Sequence, residues 1–233
     1  MAKQVWRIVG IEQSKLNSKK EFEKTEAFDF SKNYNWKNLI LKRLFDLIGA
    51  FSFFIICGFW LFPIVAVLIK LDSAGPVFFK QVRVGMNGRL FNCYKFRTMI
   101  VNDDADLKQA TKNDPRVTRI GKFLRKISMD ELPQFMNVIY GNMSLIGPRP
   151  LIPIQNEEGE RIIEGFILRN LVKPGISGLA QAKGYRGETK YFNAIYFRHK
   201  LDMYYIKNWY PMFDLKIIWM TITSIVFGDN KSY

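Results

Sequence analysis

Histidine occurs once in the 233 residues, at position 199, and cysteine twice, at positions 57 and 93. A single imidazole excludes any site that needs two, and no Cys/His cluster has the spacing of a zinc centre. His199 lies among Tyr196, Phe197 and Arg198, with no nucleophile-elbow sequence anywhere to supply the serine of a Ser-His-Asp triad. Cys57 sits inside an apolar run and Cys93 in a strand-like stretch, so a disulfide framework is not expected and a reducing compartment fits. Acidic residues are outnumbered: 21 Asp and Glu face 35 Lys and Arg, for a formal charge of +14. Such an excess points to an anionic partner, whether nucleic acid, lipid headgroups or a phosphorylated substrate, although a plain basic surface has the same composition. The first thirty residues hold no apolar core followed by a small-residue cleavage site, so no secretory signal is expected there. Internal repeats and low-complexity tracts are absent.

What is present begins with a polar, lysine-rich stretch over residues 1–36. From Leu47 to Ile69 no residue is charged, and as one straight helix this run would extend about 34 Å at a rise of ~1.5 Å per residue, enough to cross a hydrocarbon core. A buried core helix of that length does not suit so small a domain, so membrane insertion is expected. Pro63 falls within the run, where it removes a backbone hydrogen bond and predicts a kink or break. Lys37, Lys42 and Arg43 precede the run and Lys70, Lys80 and Arg83 follow it. Cations on both flanks favour a helix that bends at Pro63 and returns to one face, while a kinked spanning helix is the alternative.

Beyond the run, Asn87-Gly88 between Val77–Val84 and Leu90–Phe96 predicts a β-hairpin. Residues 103–128 read as loop and short helix, ending in Arg119, Lys122, Arg125 and Lys126. Residues 128–142 read as a helix, 147–153 as stiff extended chain, 155–172 as a helix and 173–187 as a glycine-rich loop. Two more helices are expected, over about 190–208 and 212–227. The last has almost no polar face, which suits either core packing or the membrane interface.

Two features could do chemistry. Asp130 and Glu131 are adjacent carboxylates. Ser128-Met-Asp-Glu fits a capping box whose acidic groups answer a helix dipole. The same position would also hold a carboxylate ready as nucleophile or Mg²⁺ ligand beside phosphate-binding N–H groups. Arg149 stands between Pro148 and Pro150, whose fixed φ angles stiffen the backbone that presents its guanidinium, although an isolated Gly-Pro-Arg-Pro can be a simple turn. Lys95, Arg97 and Arg125 are further cations. Together these residues fit phosphoryl chemistry at a membrane face, which rests mainly on positioning and charge neutralisation.

The ordered strings KRLFDL, IKLDSAGPVFFKQVRVG, YKFRTM, SMDELPQFMNVIYGNMSLIGPRP, LVKPGISGLAQ and LDMYYIKNWYPMFDLKII resemble the bacterial sugar transferases, the monotopic polyprenyl-phosphate phosphoglycosyl transferases. The resemblance covers roughly Leu41 to Phe227. It implies an α+β, mostly helical fold: a polar extension (1–36), a re-entrant membrane helix broken at Pro63 (37–71), a cytoplasmic catalytic domain with a β-hairpin and interfacial amphipathic helices (72–227), and a tail (228–233). It implies further that Asp130 attacks the β-phosphate of a UDP-sugar, expels UMP and carries the phosphosugar to polyprenyl phosphate. Glu131 would manage a proton or assist the metal. Mg²⁺ would sit at Asp130, and Lys95, Arg125 and Arg149 would bind substrate phosphate.

The chain departs from the family pattern in having Phe62-Pro63 where Ser-Pro is common. It also reads AKGYR over 182–186 where V-x-G-R is common, so the nucleotide-binding arginine is carried to Arg186, one residue displaced. Larger relatives have spanning helices ahead of the catalytic unit, and this chain is expected to be a minimal form. The expected partners are a UDP-sugar, polyprenyl phosphate and membrane lipids at the cytoplasmic face of a bacterial inner membrane. The resemblance also implies a homodimer, which the residues themselves do not require. Nucleic-acid binding would call for a docking element, and none is found. The competing reading is a non-catalytic basic protein that binds membrane surfaces.

Overall fold

The computed structural model describes residues 34–101, 114–185 and 192–226. Its first feature is a helical rod, Trp36–Asp72, built from α1 (Trp36–Phe53), a π turn (Phe54–Gly58) and α2 (Phe59–Asp72). Asn35 caps the start, its side chain accepting from the Asn38 amide at 3.0 Å. The break expected at Pro63 is absent, because α2 runs through that residue. The irregularity lies one turn earlier: the proline removes an i→i−4 bond and crowds the Phe59 carbonyl, and the wider π turn just upstream takes up the misfit. There the Trp60 indole N–H donates to the Ile56 carbonyl at 2.9 Å.

The two faces of the rod differ sharply. Its inner face buries Asp46 and Ala50 from α1 and Val65 and Ile69 from α2. Phe53 stacks on Phe135 with centroids 4.0 Å apart, and Phe62 meets Phe96 edge-on at 4.9 Å. On the outer face Ile55, Phe59 and Leu71 are 78%, 84% and 80% exposed. By length and composition the rod could cross a membrane.

Polar pins fasten α1 to the remaining elements. Arg43 donates to the carbonyls of Val138 and Ile139 at 2.7 and 3.0 Å, placing a cation on the negative end of a short helix, α4 (Gln134–Ile139). Asp46 accepts from Ser144 Oγ and the Leu145 amide, both at 2.9 Å. Lys42 pairs with Asp214 at 2.7 Å, and Asp214 also accepts from the Tyr205 hydroxyl and the Trp209 indole.

The expected hairpin forms from β1 (Phe78–Val84) and β2 (Leu90–Phe96), antiparallel with Val84 opposite Leu90. Asn87 and Gly88 both adopt positive φ, 56° and 74°, which explains this dipeptide at the turn. A second, parallel pair of three-residue strands, β3 (Ser144–Ile146) and β4 (Gly175–Ser177), was not anticipated. The helix expected over 155–172 divides at Gly165, φ 72°, into α5 (Pro153–Ile162) and a 3₁₀ turn (Phe166–Leu171). The glycine-rich stretch contains β4 and a one-turn helix, α6 (Leu179–Ala182).

The last two helices, α7 (Phe192–Lys207) and α8 (Pro211–Val226), form as expected. With the connection between them they supply a core cluster: Tyr205 and Ile206 of α7, Trp209 of the connection, and Phe213 and Ile217 of α8 pack with Ile146 and Tyr34. In α8, Phe213 and Ile217 pack in the core as one of the two readings expects, while Met212 and Trp219 stay about two-thirds exposed.

Candidate active site

Ser128 does not cap a helix. It takes a left-handed conformation, φ 57°, and makes no side-chain cap, so the capping-box reading fails. A 3₁₀ turn, Met129–Glu131, follows and turns the two acidic side chains toward the hairpin before α4 begins. Asn137 of α4 then clips the hairpin edge. Its side chain accepts from the Tyr94 amide at 2.9 Å and donates to the Asn92 carbonyl at 2.7 Å. This fully buried amide fixes β2 beside the acidic turn and brings Lys95 to Glu131.

The two carboxylates have opposite surroundings. Glu131 is fully engaged: Lys95 donates to Oε1 at 2.9 Å, and the Arg149 fork donates to Oε1 at 2.6 Å and Oε2 at 3.1 Å. Burial pushes its carboxyl up, but Arg149 and Lys95 overcome that and hold it well below the ordinary value. Asp130, one residue earlier and half-buried, makes no hydrogen bond or ion pair among the described residues. Burial raises its carboxyl to about 6. Lys95 pulls the value down, the Glu131 charge pushes it up, and Arg125 and Arg149 pull it down again. The arrangement therefore keeps one anion spent and its neighbour unpaired among three cations.

Each cation has its own support. Arg125 lies at the end of α3 (Arg119–Lys126) and donates from Nε to Thr98 Oγ1 at 2.8 Å. Four residues back on the same face, a Cβ on Gly121 would stand 2.1 Å from the Thr98 carbonyl oxygen, so only glycine lets α3 seat this closely. Arg149 extends from a loop held through its carbonyls. Those of Pro148, Arg149, Pro150 and Leu151 accept from the Gly175 amide, the Arg169 guanidinium, the Arg83 guanidinium and the Val84 amide, at 2.9, 2.8, 3.0 and 2.9 Å. Both prolines lack N–H groups, so these carbonyls are the loop's main handles.

Lys95, Arg125, Asp130, Glu131 and Arg149 thus come together in one site. Arg97 does not join them: it clasps the chain after α2, donating to Ser73 Oγ, the Ser73 carbonyl and the Pro76 carbonyl. Arg186 lies outside the described residues. Asn137, Thr98, Gly121, Arg169 and its buried partner Asp202 escaped the sequence reading. Asn137 had left a signal, as a polar residue amid the apolar residues Phe135, Met136, Val138 and Ile139.

No group of three or more His, Cys, Asp or Glu side chains that could hold a metal occurs among the described residues. A Mg²⁺ ion commonly takes one or two protein carboxylates and completes its shell with phosphate oxygens and water. The unpaired Asp130 carboxylate suits that role, and Glu131, covered by two cations, does not.

A family model described as "Bacterial sugar transferase" matches residues 37–228. A UDP-glucose:undecaprenyl-phosphate glucose-1-phosphate transferase of Klebsiella pneumoniae is 47% identical over 83% of this chain and 42% of its own length. The protein of the same description from Escherichia coli (strain K12) is 44% identical over 79% of this chain and 40% of its own length. The chain thus spans about two-fifths of these relatives. An exopolysaccharide production protein of Rhizobium leguminosarum bv. phaseoli is nearer in size, 42% identical over 80% of this chain and 96% of its own length. On the match over nearly all of its described residues, the chain belongs to the bacterial sugar transferase family.

Proposed function

We propose that this chain transfers a sugar-1-phosphate from a UDP-sugar to polyprenyl phosphate and releases UMP. The observation that carries the reading is the contrast between the carboxylates: Glu131 is clamped by Lys95 and Arg149, while Asp130 stands unpaired among the same cations. An Asp130 oxygen attacks the β-phosphorus, the bond from that phosphorus to the bridging oxygen breaks, and UMP leaves with the electron pair. An oxygen of polyprenyl phosphate then attacks the same phosphorus and displaces the Asp130 carboxylate, giving polyprenyl-diphosphate-sugar and the free side chain. Lys95, Arg125 and Arg149 orient the diphosphate and neutralise charge that builds in transfer, with Glu131 setting the pose of two of them. A Mg²⁺ ion held by Asp130 and substrate phosphate would add further charge neutralisation.

The relatives named above supply the sugar to try first, UDP-glucose, and a UDP-galactose-lipid carrier transferase of Erwinia amylovora, 38% identical over 82% of this chain, supplies the second. We place the transfer at the cytoplasmic face of the bacterial inner membrane with the rod re-entrant, turning at the π turn Phe54–Gly58 rather than at Pro63 so that both ends lie on one side. The support is that one compact domain packs against the rod before and after its midpoint, at Ala50 and at Val65 and Ile69, while the outer face stays apolar. Labelling of Trp36→Cys and Leu71→Cys by an impermeant maleimide should then occur from the same side, and labelling from opposite sides would refute the topology.

The chemistry is tested by incubating membrane-extracted protein with Mg²⁺ and each UDP-sugar. UMP release and a phosphosugar mass on the intact chain are expected, and both are lost in Asp130→Asn. Neither product with any sugar, alongside retained binding to anionic vesicles, would favour a non-catalytic membrane-surface protein.

A further inference from the structure

Arg149 reaches Glu131 from a stretch in which the prolines on either side of it supply no backbone N–H. Of the four carbonyls that hold this stretch, those of Pro148 and Leu151 are taken by backbone amides and those of Arg149 and Pro150 by side chains. The bond to the Arg149 carbonyl itself comes from Arg169, which is 3% exposed. Arg169 Nη2 donates to that oxygen at 2.8 Å and to Asp202 Oδ2 at 2.8 Å, and its Nε donates to the same carboxylate oxygen at 3.2 Å. Asp202, 2% exposed, belongs to α7. A buried charge pair with no role would cost desolvation for no gain that packed apolar residues could not match. This pair sits on the backbone of the residue that grips Glu131.

We infer that Arg169, aimed by Asp202, is a positioning residue: it fixes the main chain at Arg149, and through it the two-point grip of that guanidinium on Glu131 and the diphosphate. The inference rests on the transfer reaction proposed above. A lysine at 169 keeps the charge but has a single nitrogen, which cannot reproduce the planar fork that serves Asp202 and the Arg149 carbonyl together.

The test is a double-mutant cycle on UMP release with Arg169→Lys and Arg149→Lys, each protein checked for folding by its thermal melt. Arg169→Lys alone should lower kcat/KM by about 30-fold or more, in the range expected when a catalytic group is misplaced by about an ångström. In the Arg149→Lys background the same change should cost under about threefold, because the group it positions is already gone. An equal loss in both backgrounds would overturn the inference. If Arg169→Lys does not fold, Asp202→Asn takes its place in the cycle, with a smaller loss that must likewise vanish when Arg149 is replaced. Wild-type protein that releases no UMP from any UDP-sugar refutes the reaction instead. The positioning role is then decided by a crystal structure of the substituted protein: Arg149 withdrawn from Glu131 supports it, and both contacts retained overturns it.

Discussion

At position 130 two demands on one carboxyl conflict. Burial raises Asp130 to about 6, yet attack on phosphorus requires the ionised form. The rate of phosphosugar formation should therefore climb with pH and reach half its plateau near pH 6. A flat rate between pH 5 and 8 would contradict the assignment. The same shift bears on stability. Between the ordinary value of 3.8 and about 6, the native protein keeps a proton that the unfolded chain has already released, so stability falls as pH rises through that window. At pH 7.5 the ionised carboxylate is a net cost, reduced by its partial exposure to solvent. Asp130→Asn should thus be inactive and more stable than wild type by about 1–3 kcal/mol, read from denaturant melts.

At the scale of elements, α3 shows how a single hydrogen atom can set a site. Gly121→Ala would drive a methyl into the Thr98 carbonyl. The helix must then retreat, moving Arg125 away from Thr98 and the site. A loss of about 3 kcal/mol or more is expected by analogy with overpacked cores, with a raised KM for the UDP-sugar in the fraction that stays folded. Neither the melt nor KM moving would mean that α3 sits more loosely than described.

Elements also differ in how far the sequence announces them. The β1–β2 hairpin was legible from Asn87-Gly88, and α7 and α8 from their length and apolar content, because those signals are local. β3 and β4 were not: three residues are too few to show a period, and Ser144 and Gly175 pair across a long separation. A kink or break was expected at Pro63 because the proline is the visible signal, whereas the irregularity is the π turn upstream, at Phe54–Gly58. The candidate residues Lys95, Arg125, Asp130, Glu131 and Arg149 were singled out through long, specific strings, and the structure brings them together. The division of labour between the two carboxylates depends on hydrogen bonds that span up to 36 residues of sequence, and no local pattern encodes it.

At the scale of the whole molecule, a few buried polar groups join apolar packing in holding the rod to the elements that carry the candidate site. Asp214 is the busiest, serving Lys42, Tyr205 and Trp209 at once while only 2% exposed. Asp214→Ala would leave the Trp209 indole N–H without its acceptor, and Lys42 and Tyr205 with the Ile146 carbonyl as the acceptor they share. It should cost about 3–5 kcal/mol, seen as a lower unfolding midpoint and as faster proteolysis between α7 and α8. A change under 1 kcal/mol would show that the α1 attachment relies on apolar packing alone.

The uneven dress of the rod also has a kinetic corollary. With oily side chains outward and the proposed phosphate-binding groups inward, the two proposed reactants would arrive through different media: the nucleotide sugar by three-dimensional diffusion in water, the prenyl carrier by sliding sideways within a leaflet. Dilution in micelles should therefore slow the second half-reaction with little effect on the first, so the carrier's surface density, rather than its bulk concentration, would set turnover.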